Sequence, residues 1–171
     1  MKKYFLVLSA CFFIACSSEP KGFEQVEDLY RAGVTALKSK NQASLTAFVA
    51  QITPNEATAT YMSQHRCNYR GFPKALANKP DILPEMRIKL AESLYQYALR
   101  LDRQGKLSDL TFVKMRYNYP LEGNAILECP DILFTEDFAL CVSKKDTIEF
   151  SFGELLKINQ EWKSFTRYKL N

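Results

Sequence analysis

Residues 84–105 constrain this chain more than any other stretch. Met86, Leu90, Leu94, Tyr97 and Leu101 recur at intervals of three and four, the spacing of one helix face, and Ile88, Tyr95 and Leu99 widen it. Pro84 suits the first turn of a helix, and Gly105 stands where a left-handed C-terminal cap is expected. Soon afterwards the period changes. Val113, Met115, Tyr117 and Tyr119 alternate with Lys114, Arg116 and Asn118, the pattern of a half-buried strand. A helix with so broad an apolar face needs a surface to cover, and the strand that follows points to a sheet.

The flanking segments extend this order. Phe23, Val26, Tyr30, Val34 and Leu37 predict a first helix, and Leu45, Phe48, Val49 and Ile52 a second after a polar break at 38–42. Thr53-Pro54-Asn55-Glu56 has the form of a capping box with Pro at the first helical position, so a short third helix should run towards Gln64. Residues 66–83 read as irregular, with Gly71, Pro73 and Pro80 as breakers. Further strands are expected at 125–129, 138–144, 147–152 and 162–170, with turns at 120–124, Lys145-Asp146 and Asn159-Gln160. Helices first and strands afterwards make an α+β domain, in which N-terminal helices and one long helix pack on a C-terminal antiparallel sheet.

The N-terminus carries a different signal. Met1-Lys2-Lys3 is basic, and residues 4–15 are almost wholly apolar. That run is too short for a membrane span, which takes roughly 20 residues, and fits the core of a cleavable signal. Phe13-Ile14-Ala15-Cys16, followed by the polar Ser17-Ser18-Glu19-Pro20, resembles the lipobox of bacterial lipoproteins. Cleavage before Cys11 instead would leave too short an apolar core. The resemblance implies a diacylglyceryl thioether on Cys16, removal of residues 1–15, and membrane attachment through the N-terminal lipid. Ser17, in place of Asp, implies sorting to the outer membrane with the domain facing the periplasm. The chain then divides into a signal (1–15), a lipidated cysteine and tether (16–22) and one domain (23–171).

The order of helices and strands also resembles the NTF2-like, or SnoaL-like, fold. Ile158-Asn159-Gln160-Glu161-Trp162-Lys163 looks like the hairpin that ends many such exported domains. That resemblance implies a long helix over a curved sheet, enclosing a cone-shaped pocket.

Charge and cysteines narrow the partners. The formal net charge of +4 falls to about +2 without Lys2 and Lys3, too balanced to imply nucleic acid. Three cysteines remain beyond Cys16 in an oxidising compartment: Cys67, Cys129 and Cys141. Cys129 with Cys141 is the preferred disulfide, since both fall near the ends of neighbouring expected strands; three reduced, buried thiols are the alternative.

Catalytic patterns are sparse, and no catalytic residue, metal or cofactor is assigned. The single histidine, His65, stands beside Cys67, and two ligands fall short of a zinc site. A Gly-x-Ser-x-Gly elbow and a phosphate-cradling glycine loop are both missing. Tyr117, Tyr119, Phe150 and Phe152 alternate on expected strands and are the candidate ligand-binding residues; their other reading is core between sheet and helix. Lys157, Lys163, Arg167 and Lys169 suggest a basic strand face, for anionic headgroups or simply to guard a sheet edge. The function expected is a non-enzymatic module binding a small apolar ligand or a periplasmic or outer-membrane protein. An enzyme with a polar residue in a cone pocket, and a structural spacer, are the rivals.

Overall fold

Among the described residues, five α-helices precede all six strands. They are α1 (Val26–Ser39), α2 (Gln42–Ile52), α3 (Glu56–Gln64), α4 (Gly71–Asn78) and α5 (Leu83–Arg103), with a 3-10 turn at Pro80–Ile82. The strands are β1 (Thr111–Tyr117), β2 (Leu133–Ser143), β3 (Asp146–Ser151), β4 (Glu154–Ile158), β5 (Glu161–Ser164) and β6 (Lys169–Leu170). This computed structural model describes residues 21–65, 71–117, 132–144 and 146–170. The expected strand at 125–129 and the turn at 120–124 lie outside them.

Local chemistry sets the helix ends. Asn41 caps α2, its side-chain oxygen accepting from the Ala43 and Ser44 amides at 2.8 and 3.3 Å. Asn55, not Thr53, caps α3: its Oδ1 accepts from the Thr58 amide at 2.8 Å and the Thr58 hydroxyl at 2.7 Å. Thr53 instead closes α2 by bonding back to the Val49 carbonyl. Its hydroxyl also accepts from Arg87 Nε at 3.0 Å, tying α2 to α5. Gly105 ends α5 at φ +65°, and the Gly105 and Lys106 amides return to the Asp102 and Leu101 carbonyls, the paired bonds of a Schellman cap. Helix α4 corrects the irregular reading of 66–83: Pro73 falls in its first turn, where a missing N–H costs nothing.

β2 organises the sheet. Its second half lies between β1 and β3, its first half pairs with β4, and β5 and β6 pair outside β4 and β3; all are antiparallel. Joined only by Phe152 and Gly153, β3 and β4 follow one another along β2. Ala139 faces Phe150 and Glu136 faces Glu154. Between those pairs β2 has Asp137 and Phe138, whereas the other chain has Ser151, Phe152 and Gly153, one residue more. Such a bulge bends a sheet and interrupts its ladder. Hydroxyls repair the break. Tyr30 donates to the Asp137 carbonyl at 2.9 Å and accepts from the Phe152 amide at 3.2 Å. Ser151, Ser164 and Thr166 take the Gly153 amide, the Phe152 carbonyl and the Glu154 amide respectively.

Two cores result. The larger joins α1, α2 and α5 to the sheet through Leu29, Tyr30, Leu37, Phe48, Leu94, Tyr97, Phe150 and Phe152, among others. Gly33 is needed there, since a methyl at its position would meet Phe152 Cε2 at 2.6 Å and Phe48 Cζ at 3.0 Å. The smaller core, under α3 and α4, contains Met62, Leu76, Leu83, Ile132, Leu156, Ile158 and Phe165. β4 serves both, with Leu155 facing one core and Leu156 and Ile158 the other.

Some expected faces shift. A bulge in β1 between Phe112 and Lys114 puts Phe112 inside and leaves Val113 49% exposed, while Met115 stays buried. Ile88 is 71% exposed; Ala91 and Ala98 complete the buried face of α5 instead. The β2–β3 turn comes one residue early, since Asp146 already pairs with Ser143. The Asn159-Gln160 turn is where expected, both residues at positive φ (51° and 67°) between β4 and β5.

Candidate functional site

An open apolar groove of about 440 Å³ runs between the start of α5 and the link from β5 to β6. One wall is Ile82, Glu85, Met86, Lys89 and Leu90, residues that the helical repeat places on one flank. Phe165, Thr166 and Arg167 make the other. Two bonds to Glu154 hold that second wall: the Phe165 amide donates to its carbonyl at 2.9 Å, and Thr166 Oγ1 accepts from its amide at 2.7 Å. Phe165 is buried and forms an apolar floor. On the rim Lys89 pairs with Glu85 at 2.6 Å, and that contact holds the Glu85 carboxyl below its usual range. Arg167 makes no side-chain hydrogen bond, ion pair or ring contact among the described residues. The groove is thus a greasy slot with one uncommitted cation at its edge.

The residues singled out from sequence do not converge on this slot. Phe150 and Phe152 are fully buried and pack on Tyr30, Phe48, Tyr97 and Tyr168, which is a core role and replaces the ligand-lining one. Tyr117 ends β1 opposite Asp137, and Tyr119 lies outside the described residues, as do Cys16, Cys67 and Cys129. Cys141 is a free, buried thiol near the end of β2, and the partner expected for it, Cys129, lies outside the described residues; burial pushes the Cys141 pKa up to about 12. A thiol held so firmly protonated is a poor nucleophile. His65 ends α3 with its ring stacked on Tyr61 at 3.7 Å and Nδ1 at 2.8 Å from the Tyr61 carbonyl.

The basic residues also separate. Lys163 is 2% exposed, donates to the Gln51 carbonyl at 2.9 Å and pairs with Glu161 at 2.9 Å. Lys157 lies over the Trp162 ring, between two shallow depressions near Leu133. Lys169 is bound to Glu136. Only Arg167 reaches the groove. Sequence reading missed the groove because 162–170 read as one strand, whereas residues 165–168 leave the ladder there and turn Phe165 and Arg167 towards α5.

Other titratable groups cluster at the bulge. Burial raises the Tyr30 and Tyr168 phenols well above their usual range. Burial, and then the neighbouring Glu136, also raise Glu154. No group of three or more His, Cys, Asp or Glu that could hold a metal occurs among the described residues. No helix among them is long and apolar enough to cross a membrane.

No protein-family model, curated protein or solved structure matches this chain.

Proposed function

We propose that this chain is a lipid-anchored envelope protein whose domain binds a small apolar ligand in the groove beside α5. The groove carries the reading. Its volume lies within the roughly 300–1,000 Å³ of small-molecule sites, and Ile82, Met86, Leu90 and Phe165 give it the apolar lining with few polar groups that such sites share. A protein partner would need roughly 800 Å² of matching surface. The exposed large hydrophobics among the described residues are only Ile88, Val113 and Val142.

The lipobox-like Cys16 supports the anchor, and Ser17 supports sorting to the outer membrane. The first described residues fit a tether, because the Phe23 carbonyl accepts from the Trp162 amide at 2.8 Å and pins the chain to β5. Between Cys16 and Lys21 the backbone spans at most about 18 Å, so the anchor holds this edge of the domain close to the bilayer. The bent sheet under α5 supports the NTF2-like resemblance.

Native mass spectrometry of residues 17–171 purified from a periplasm tests the reading. A retained adduct of defined mass is expected, and Met86→Trp, which fills the groove, should release it. A clean protein mass for the unaltered domain would contradict the reading and favour a protein partner.

A further inference from the structure

The flank of α5 that lines the groove continues beyond it. Ser93, Gln96, Tyr97, Arg100 and Arg103 line a second depression of about 390 Å³, closed by Leu170. Positions 82, 86, 90, 93, 97 and 100 advance by threes and fours, so both depressions lie along one line of the helix, facing the C-terminal segment 165–170. The two halves differ in chemistry. The first is apolar for roughly 12 Å between Ile82 and Leu90. The second is polar and carries two arginines, with Arg167 on the opposite wall of the first.

These cations are unequally committed. Lys89 is taken by Glu85, and Arg100 donates to the Leu170 carbonyl at 2.7 Å and lies over the Tyr97 ring. Arg103 has one long bond, Nε to the Leu99 carbonyl at 3.4 Å, and Arg167 has none among the described residues. The one acid on the groove wall, Glu85, sits at the far, apolar end.

Building on the apolar-ligand reading, we propose that the occupant is a long-chain carboxylate. Its acyl chain lies against Ile82, Met86, Leu90 and Phe165, and its carboxylate turns away from Glu85 towards Arg167 on the opposite wall. A guanidinium matches a carboxylate with two parallel hydrogen bonds, so this side chain fixes the ligand's direction as well as its charge. A neutral chain would gain only the apolar contacts. A cationic amphiphile would meet Arg167 as a like charge.

Calorimetric titration of residues 17–171 with laurate and with dodecan-1-ol, below their aggregation limits, separates the parts of this claim. Laurate should bind at least about tenfold more tightly than the alcohol, a margin expected of a charge-assisted pair. That advantage should shrink as salt is raised. Arg167→Gln should bring laurate down to the alcohol's affinity while leaving the alcohol's unchanged, which also shows that the variant is folded. Equal binding of the two ligands by the unaltered domain, or unchanged laurate binding by the variant, would overturn the carboxylate assignment and leave the groove standing. Binding of neither would remove the groove reading itself.

Discussion

Tyr30 ties one residue to the shape of the sheet. Helical spacing identified it as part of the buried stripe of α1, and it is buried. Its hydroxyl has a further task that no local pattern discloses, because the two groups it bridges, the Asp137 carbonyl and the Phe152 amide, lie far away in sequence. Tyr30→Phe keeps the ring and leaves both backbone groups without that partner. A buried polar group so abandoned costs about 1–3 kcal/mol. The expected result is a urea midpoint lowered accordingly with an unchanged slope. No change in midpoint would show that the bulge does not depend on the hydroxyl. Phe150 and Phe152 illustrate the same limit on sequence reading. Alternation identified them as one set, but whether such a set lines a pocket or fills a core depends on what packs opposite. Tyr30, Phe48 and Tyr97 fill that space.

Among the elements, α1, α2 and α5 were legible because each buries one side and leaves the other in water, so the period survives in the residues; α3 was legible from its polar start at 53–56 instead. β4 was not. With Leu155 in one core and Leu156 and Ile158 in the other, it is apolar on both faces and does not alternate. β1 misled through its bulge, which slips the pattern by one residue at Val113. Where β4 meets the larger bulge, Glu154 stands across from Glu136. Burial and that neighbour raise its pKa, so the folded state holds the proton more tightly than the unfolded chain. The resulting stability is present below the ordinary carboxylate value of 4.5 and is lost as pH rises through the raised one. Glu154→Gln should therefore match the unaltered protein in acid and become the more stable of the two towards neutrality, as read by urea unfolding across pH. An equal difference at both ends would rule out ionisation as the cause.

For the whole molecule, the sequence order of helices then strands was enough for the α+β class, since each amphipathic element must bury its face against another. The groove was not legible, because it forms where α5 meets a break in the last strand, two features distant in sequence. The proposed anchor belongs to this scale too. Cys16→Ser should abolish incorporation of labelled palmitate into the full chain in cells, and continued labelling would refute Cys16 as the attachment site. The proposed ligand site is the groove, and titration of methyl-labelled residues 17–171 with laurate tests it directly by NMR. Shifts confined to the methyls of Ile82, Met86 and Leu90, with Val113, Val142 and Ile148 unmoved, are predicted. Shifts centred on Val113 and Val142, or none at the three groove residues at saturating laurate, would contradict it.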